Sequence, residues 1–351
     1  MRVLFHLGHP AHFHLFKFVI KKLIQNDHEV DIVIKEKDVL KKLLDDSNIP
    51  YENILPEGKS AGKIGLFQDL IVRGKNIYRY CKKNNPNLLI GTSADISYLG
   101  KLLKIPSINV NEDDASVVPM YAWMAYPFAT SILSPDCCNN GRWENKTTKY
   151  PGYHELAYLH PDHFKPDKNV INKYLKKNNK FIIVRFAGLT AHHDENVRGI
   201  NDELASRLIK ELEQFGQILI TSERKLSDKF EPYRLSIDPL DIHHFLAFAS
   251  LVIGDSQTMS AEAAVLGTPY IRYNDFVGKI GYLKELEEKY GLGFGITPDQ
   301  PQNLVNVAIE LASKNASGKE VFETKRKLML KEKINTADYL YNYISNFLSD
   351  N

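Results

Sequence analysis

The sequence predicts an α/β protein made of two doubly wound, Rossmann-like domains that face a central cleft. Three observations lead to this prediction. The chain has 351 residues, enough for two domains of ordinary size. Short apolar segments alternate with helical segments from the N-terminus onward, which is typical of parallel sheets with crossover helices. Residues 150–179 have little apolar periodicity and separate two such series.

Composition narrows the class of protein. Hydrophobic residues make up 43% and charged residues 25% of the chain, as in soluble globular proteins. The net charge of +2 gives no field that would attract nucleic acid, so we expect no nucleic-acid partner. The three cysteines, Cys81 and the adjacent Cys137 and Cys138, form neither a disulfide framework nor a metal-binding spacing. We therefore expect a cytoplasmic protein.

The sequence predicts neither a secretory signal nor a membrane span. Met1 leads directly into a strand-like segment, without a basic region and an apolar core of the signal type. Residues 115–135 carry no charge over roughly 20 residues, the length of a span, but Pro119 and Pro127 argue against one. We expect a buried helix leading into a strand there. A hydrophobic patch in peripheral contact with a membrane is the alternative.

The first domain is predicted over residues 1–160. Its strands are expected at 3–7, 29–34, 50–55, 88–91, 105–110 and 130–133, with helices between them. Residues 137–149 are polar and aromatic, which indicates a loop. The second domain is predicted over 161–335, with strands at 181–186, 217–221, 251–254, 270–272 and 292–296, and a C-terminal helix over 336–351 follows a break near Asn335.

The second domain contains the most informative stretch, residues 251–272. A buried strand ends at Gly254, a polar turn follows, and a helix is predicted from about Thr258 to Leu266. Gly267 and then Pro269 end that helix in the usual order. The free backbone N–H groups of Ser256, Gln257 and Thr258 would attract an anion, phosphate above all.

Glu262 lies one helical turn beyond that terminus. Thr258 and Glu262 are four residues apart, so they share one face of the helix. A carboxylate at this place can accept two hydrogen bonds from a ribose diol while the helix terminus binds the diphosphate. The alternative is a well-capped helix whose Glu only suits the positive end of the helix dipole.

The pattern Gly-Asp-Ser-x5-Glu-Ala-x2-Leu-Gly-x-Pro at 254–269 resembles the donor-binding stretch of GT-B enzymes. These include the UDP-GlcNAc 2-epimerases, the MurG-type glycosyltransferases and an uncharacterised prokaryotic family described as glycosyltransferases, which it resembles most. The resemblance implies that Ser256, Thr258 and the amides of this turn bind the diphosphate and that Glu262 binds the ribose.

A polar loop follows the predicted strand at 181–186. Its His192-x-x-Glu195-Asn196 resembles an element of the epimerases whose His lies beside the sugar phosphate. The relatives have Arg-Arg between those positions where this chain has His193-Asp194, and Arg185 could replace the lost charge. Solvated histidines without a function are the alternative. We predict no metal site, because adjacent residues rarely converge on one ion and no third ligand is suitably spaced.

Two further segments of the second half were considered as ligand contacts. His243 and His244 lie on the helix before the 251–254 strand, and we interpret them as helix-surface residues rather than ligand contacts. Residues 274–281 follow the next strand and could contact the sugar, since Gly278 and Gly281 allow a close backbone approach.

In the first half, residues 8–12 follow the first strand. They resemble the Gly-rich loop of the MurG-type enzymes, with His12 at its final His, although Pro10 and Ala11 replace two glycines. A His there could act as the general base on an acceptor hydroxyl. The alternative is that His9, His12 and His14 are partly buried and bonded to the backbone.

Glu112, Asp113 and Asp114 follow the fifth predicted strand, where we expect a catalytic role for Glu112 or Asp114. Capping of the next helix is the alternative. The epimerases carry a catalytic Asp after the equivalent of strand four and a catalytic Glu after the next strand. The matching positions are Thr92 and Glu112, so one of the two acids is missing. Thr92→Ala is expected to be mild.

The resemblance therefore implies a metal-independent, nucleotide-sugar-dependent glycosyltransferase without a cofactor. We expect a UDP-sugar donor and a glycan or lipid-linked acceptor of surface-glycan synthesis, used in the cytoplasm or at the inner face of the membrane. A UDP-GlcNAc 2-epimerase-like enzyme is the first alternative. A nucleotide-sugar-binding protein without catalysis is the second.

Overall fold

The computed structural model describes residues 1–37, 39–55, 62–175, 180–188, 198–314 and 316–350, with the side chains of 62–67 and 316–318 left aside. The chain divides into two compact units. Unit 1 comprises Met1–Tyr158 and Ile334–Asn351, and unit 2 comprises Leu159–Lys333. Each unit contains its own sheet.

Both sheets are wholly parallel in the described residues. Unit 1 has seven strands in the order β3-β2-β1-β4-β5-β6-β7, namely β1 (Arg2–Leu7), β2 (Glu29–Lys35), β3 (Glu52–Leu55), β4 (Leu88–Gly91), β5 (Ser107–Val110), β6 (Ser131–Pro135) and β7 (Thr147–Tyr150). Unit 2 has five in the order β12-β11-β10-β8-β9, namely β8 (Phe181–Phe186), β9 (Gln217–Ser222), β10 (Leu251–Gly254), β11 (Tyr270–Tyr273) and β12 (Gly293–Ile296).

Helices connect successive strands, as parallel pairing requires. In chain order they are α1 (Pro10–Gln25), α2 (Leu40–Asp46), α3 (Gly62–Asn84), α4 (Ala94–Leu103), α5 (Pro119–Ala125), α6 (Lys168–Ile171), α7 (Asp202–Leu212), α8 (Ile242–Phe248), α9 (Gln257–Val265), α10 (Gly281–Lys284), α11 (Pro301–Ser313), α12 (Ala316–Glu332) and α13 (Thr336–Ser349). A π-helical turn over Glu285–Lys289 extends α10. Among the described residues, no helix is long and apolar enough to cross a membrane.

The central strands are apolar on both faces because helices cover both. Residues 251–254 of β10 are all buried, and so are residues 88–91 of β4. In unit 2 the side chains of β8 and β10 form one core with those of α7 and α11. Each fully buried Leu, Ile or Val in this core stabilises the unit by roughly 1.5–3 kcal/mol. The strand C-termini are therefore held firmly, and the polar residues that follow them are fixed.

Two local predictions in unit 1 were wrong. The predicted loop over 137–149 contains most of β7, which pairs with β6 at the sheet edge and buries Tyr150. The helix expected to be buried, α5, buries Ala122 and Ala125 but exposes Met120 and Trp123. The small residues of α5 pack inward, and Met120 and Trp123 lie on its outer side.

The C-terminal helix α13 belongs to unit 1. It packs against α1, where Lys22 Nζ lies 2.5 Å from Asp338 Oδ1. The Thr336 hydroxyl donates to the Tyr153 carbonyl at 2.7 Å. The break predicted near Asn335 is present, because the side chain of Asn335 caps α13 by accepting from the Asp338 N–H at 3.3 Å.

Candidate functional site

In unit 2, the candidate site begins where β10 ends. Gly254 pairs with Arg185 of the neighbouring strand β8. A Cβ placed on Gly254 would lie 2.8 Å from both the Cβ and the carbonyl oxygen of Arg185. Only glycine fits this close approach, so the chain can turn directly from β10 into the polar segment that starts α9.

The N-terminus of α9 is open to an anion. The Ser256 hydroxyl caps the helix by accepting from the Met259 N–H at 3.4 Å. The N–H groups of Gln257 and Thr258 stand in the first turn, where no carbonyl of the helix can accept them. Ser256, Gln257 and Thr258 are all partly exposed. The predicted diphosphate contacts thus lie side by side at the positive end of the helix.

Glu262 is buried one turn further along and contacts His243 of α8. His243 Nε2 lies 3.0 Å from Glu262 Oε1, and both residues are almost fully buried. The interpretation of His243 as a helix-surface residue is therefore wrong. The imidazole fixes the carboxylate in place, and a carboxylate can accept more than one hydrogen bond. His244 is partly exposed and accepts the Asp167 N–H at 2.9 Å.

Asp255, between β10 and the helix cap, is fully buried. Its carboxylate accepts the N–H groups of Ala187 at 2.6 Å and Ile200 at 3.3 Å. Burial raises the pKa of this carboxyl from 3.8 to about 6, against the two N–H donors that lower it. Asp255 thereby ties both ends of the segment after β8 to the turn that starts α9.

Asn274, directly after β11, supports the same turn. Its side-chain amide donates to the Asp255 carbonyl at 3.0 Å and to Gln257 Oε1 at 2.8 Å, and its own Oδ1 accepts the Phe276 N–H at 2.9 Å. Asn274 is completely buried. The residue opening the predicted sugar-contacting segment thus holds the helix terminus in place.

Arg185 lies at the end of β8, as predicted, but it is already paired. Its guanidinium forms an ion pair with Glu223 and reaches Thr221 Oγ1 at 3.4 Å. A diphosphate would have to compete with Glu223 for this charge. His192 and its neighbours His193, Asp194, Glu195 and Asn196 lie outside the described residues.

In unit 1, His12 stands in the first turn of α1, after β1. Its Nδ1 accepts the Gly8 N–H at 3.1 Å. The Thr92 hydroxyl, just after β4, lies 2.9 Å from Nδ1 and 2.7 Å from Nε2 of the same ring. Burial lowers the pKa of His12 well below 6.5, and the nearby rings of His9, His6 and His154 lower it further. The ring is therefore neutral at neutral pH.

Two neighbouring histidines complete this edge of the sheet. His9 caps α1, where its Nδ1 accepts the Ala11 N–H at 3.1 Å. His6 of β1 is buried with its Nδ1 2.7 Å from the Ser93 hydroxyl. Burial lowers the pKa of His6 to about 4. His9 and His12 thus both bond to the backbone, as the alternative interpretation held, although His12 also contacts Thr92.

Glu112, after β5, forms a pair with His154. His154 Nδ1 lies 3.4 Å from Glu112 Oε1, and the His154 backbone N–H donates to Oε2 at 3.2 Å. Burial, followed by the carboxylates of Glu155 and Asp113, raises the pKa of Glu112 well above 4.5. Burial lowers the pKa of His154 to about 3. Because the pKa of Glu112 is raised and that of His154 is lowered, a proton shared by the pair resides on the Glu112 carboxyl group.

Asp114 has a different environment. It is buried, and its Oδ1 accepts the Asn139 N–H at 2.8 Å. The alternative that the acidic run caps the next helix is not supported, because α5 has Val118 at its cap position and no side-chain cap. Asp114 thus braces the segment before β7, and Glu112 is the better placed of the two acids for chemistry.

Sequence reasoning missed the structural roles of five residues of these sites, namely Thr92, His154, His243, Asp255 and Asn274. Thr92, Asp255 and Asn274 each come directly after a strand, and that position was the available signal. His243 and His154 gave none, because their partners are 19 and 42 residues away in the chain.

The sequence matches the model of a known protein family. A single model matches residues 1–331. The chain belongs to the family described as "Protein of unknown function (DUF354)". No curated protein matches its sequence.

Solved structures of low sequence identity share the fold over nearly the whole chain. A Listeria monocytogenes protein assigned as a UDP-N-acetylglucosamine 2-epimerase is 15% identical with a TM-score of 0.71, covering 100% of this chain and 97% of its own. The Neisseria meningitidis UDP-GlcNAc 2-epimerase bound to UDP-GlcNAc is 14% identical, with a TM-score of 0.66 and 100% of both chains covered. The spinosyn forosaminyltransferase SpnP is 13% identical, with a TM-score of 0.66 and 99% of both covered.

These matches confirm the predicted fold class. Two parallel sheets with interleaved helices are the architecture of GT-B enzymes, and this DUF354 member has it. The structural neighbours are glycosyltransferases and epimerases, and the chain shares their fold.

Proposed function

We propose that this DUF354 protein is a nucleotide-sugar-dependent glycosyltransferase. The observation that carries the proposal is the arrangement at the start of α9. A capped helix N-terminus with open N–H groups stands one turn before Glu262, a buried carboxylate oriented by His243. Backbone N–H donors at a helix terminus and a fixed carboxylate acceptor one turn away suit a nucleoside diphosphate. The diphosphate would bind at Ser256–Thr258 and the ribose at Glu262.

The supporting residues make this donor site rigid before any ligand arrives. Four hydrogen bonds of 2.6 to 3.3 Å fix the start of α9. Two join the Asp255 carboxylate to the segment after β8, and two join the Asn274 side chain to Asp255 and Gln257. Preorganised N–H groups stabilise the charge that grows on a departing diphosphate more than the charge it already carries. The proposed transferase therefore needs no metal ion and no cofactor at the leaving group.

The proposed acceptor base lies in unit 1. His12 is neutral at neutral pH, because burial lowers its pKa, and its unprotonated Nδ1, which now accepts the Gly8 N–H at 3.1 Å, is the nitrogen that would take the proton of an acceptor hydroxyl. Thr92 orients the ring. Glu112 is a second candidate base in its ionised form, since a carboxylate of raised pKa binds a proton more strongly than an ordinary one.

The donor is proposed to be a UDP-sugar and the acceptor a surface glycan or its lipid-linked precursor. Support for the nucleotide comes from the neighbour that is bound to UDP-GlcNAc.

A 2-epimerase activity is the second candidate, and one observation favours it. Glu112 stands after β5 with a raised pKa, which suits an acid that moves a proton at the sugar C2. Against it, the position after β4 that bears an acid in the epimerases is Thr92, whose hydroxyl bonds to His12. The acid nearest in sequence, Asp95, is buried against Arg73 at 2.6 Å.

Product analysis decides among the candidates. The purified protein is incubated with a panel of UDP-sugars, with and without glycan acceptors, and the products are separated by chromatography. A transferase gives UDP only together with a glycosylated acceptor, and EDTA leaves that rate unchanged. Release of the C2 epimer or of free UDP without acceptor would establish the epimerase instead. A thermal shift without any product would indicate a binding protein, since ligand at 100 times its Kd adds ~2.7 kcal/mol.

A further inference from the structure

One surface of unit 1 combines exposed apolar and cationic side chains. It comprises Met120, Trp123, Phe128, Arg142 and Lys146, which we call the aromatic–basic surface. Met120 and Trp123 are each 57% exposed and Phe128 is 42% exposed. Met120 and Trp123 are three residues apart on α5, so they share one helix face. Large apolar side chains clustered in this way mark an interaction site more often than single ones do.

The cationic part of this surface packs directly on the aromatic part. The Arg142 guanidinium lies 4.6 Å from the centre of the Trp123 ring. Trp143 meets Trp123 edge-on, with ring centres 5.6 Å apart. The Lys146 ammonium donates to the Pro127 carbonyl at 2.9 Å, next to Phe128. The two positive charges therefore flank the apolar side chains.

These charges are not neutralised by nearby acids. Among the described residues, neither Arg142 nor Lys146 has a carboxylate within 4.0 Å. The one acid of the same short segment, Glu144, is 3.2 Å from the Lys149 ammonium and also accepts the Asn140 N–H. In the preceding chain, residues 115–135 carry no charge at all. The surface is therefore apolar in its middle and positive at its rim.

We propose that the aromatic–basic surface docks this protein on an anionic lipid bilayer. Trp and Phe side chains enter the boundary between headgroups and acyl chains, while Arg and Lys contact the lipid phosphates. The seven-residue helix α5 lies in the interface rather than across it. A second copy of the chain fits this surface poorly, because a two-fold contact would bring its Arg142 and Lys146 against the same cations.

This inference does not rest on the proposed transferase activity. It uses residues of α5 and of the segment 141–146, and none of them belongs to the candidate site. Loss of vesicle binding and loss of donor binding can therefore be measured separately.

Tryptophan fluorescence tests the proposal directly. The chain has two tryptophans, Trp123 and Trp143, and both lie at this surface. Vesicles of phosphatidylcholine containing about a third of phosphatidylglycerol should shift the emission to shorter wavelength in a saturable way. Pure phosphatidylcholine should give a much weaker shift, and salt should weaken binding to the anionic vesicles, since surface charges are screened.

Variants that keep both tryptophans assign the effect to this surface. The double variant Arg142→Glu/Lys146→Glu should bind anionic vesicles at least about 25-fold more weakly, at roughly fivefold per cation removed. Met120→Ser/Phe128→Ser should lose about tenfold through reduced apolar burial. The matched control is Lys101→Glu/Leu102→Ser, which changes an exposed cation and an exposed apolar residue on α4. It should bind as the wild type does.

Other outcomes would overturn the proposal. One is the absence of a fluorescence shift with anionic vesicles from a folded wild-type protein. Another is equal weakening in the α4 control, which would indicate non-specific attraction. A third is a concentration-dependent dimer in sedimentation that the surface variants dissociate, which would assign the surface to a second copy. Thermal unfolding of each variant confirms that it is folded.

Discussion

The carboxyl ends of the two sheets carry different kinds of polar groups. In unit 1 they are titratable side chains. His12 contacts the Thr92 hydroxyl, and Glu112 contacts the His154 ring. In unit 2 they are backbone N–H groups at the start of α9, supported by Asp255 and Asn274. Burial shifts the pKa values of His12, Glu112 and His154 strongly. The second arrangement presents donors whose polarity does not change with pH.

This difference favours different roles for the two units, donor binding in one and proton transfer in the other. Groups with shifted pKa values gather where protons move, whereas fixed dipoles suit the binding of an anion. The proposed transferase would therefore bind its donor in unit 2 and activate its acceptor in unit 1. Variants in one unit should then change turnover or affinity, but not both.

The largest effect is expected from the proposed bases of unit 1. His12→Ala or Glu112→Gln should lower kcat by about 10²–10⁴, the usual worth of a general base. The dissociation constant for UDP should stay unchanged, because the proposed diphosphate and ribose contacts belong to unit 2. Steady-state kinetics and calorimetry measure the two quantities.

Glu52→Gln, on the exposed part of β3, is the matched control and should leave both quantities unchanged. Joint loss of turnover and donor affinity in the His12 and Glu112 variants would contradict the division between the units.

The next effect concerns Glu262. Glu262→Ala would remove the two charge-assisted hydrogen bonds proposed to bind the ribose, worth roughly 2–4 kcal/mol together. UDP affinity should fall at least about tenfold in calorimetry. Because the change also leaves His243 without its partner, Glu262→Gln is the better test of charge, since it keeps a hydrogen bond to the ring.

Glu310→Ala serves as the control, because Glu310 is exposed on α11 and pairs with Lys314 at 2.8 Å, outside the proposed site. Unchanged UDP affinity in both Glu262 variants would remove this residue from the donor site.

The sequence predicted the parts of this molecule that depend on local patterns. Apolar runs located the strands of both sheets except β7, and the Gly254–Pro269 pattern located α9 and its ends within one residue. Residues directly after strands, such as Ser256, His12 and Glu112, were placed at the correct sheet edge for the same reason.

Contacts between distant segments could not be predicted in this way. β7 is short and polar, and only its pairing with β6 makes it a strand. The surface interpretation of His243 failed because α8 has a buried face of mixed character, on which a polar ring is satisfied by Glu262, 19 residues away. Hydrophobic periodicity cannot distinguish a buried, paired histidine from an exposed one.

Two buried groups, one in each unit, should make stability depend on pH in opposite directions. Asp255 has a pKa of about 6 when folded, against 3.8 when unfolded, so its stabilising effect is full in acid and is lost as pH rises through 6. His6 has a pKa of about 4, against 6.5, so its effect is full above pH 6.5 and is lost as pH falls through 4. Each change amounts to about 3 kcal/mol, at ~1.4 kcal/mol per pH unit.

Urea unfolding of Asp255→Asn and His6→Asn between pH 4 and 7 measures these effects as differences from the wild type. Circular dichroism follows both units, while fluorescence follows unit 1, which holds both tryptophans. The stability of the wild type relative to Asp255→Asn should fall with rising pH, and relative to His6→Asn it should rise. Two differences of the same sign would show that burial does not control these groups.

The smallest effect is expected at Thr92. The structure predicts a larger loss of kcat there than the sequence did. From the sequence Thr92 was only the position of a missing acid, so Thr92→Ala was expected to be mild. Its hydroxyl lies 2.7 Å from Nε2 of His12, the proposed base. Losing a hydrogen bond that orients the ring should cost about 1 kcal/mol, or roughly a fivefold to tenfold drop in kcat.

Thr92→Ser separates positioning from packing. Serine keeps the hydroxyl and loses only the methyl group, so it should retain nearly full kcat if the hydrogen bond to His12 is what matters. The KM for the donor should stay constant in both variants, since Thr92 belongs to unit 1 and the proposed donor contacts to unit 2. Equal losses in Thr92→Ala and Thr92→Ser would assign the effect to packing of the methyl group. A larger loss than that of His12→Ala would contradict the role of Thr92 as a residue that only orients the ring.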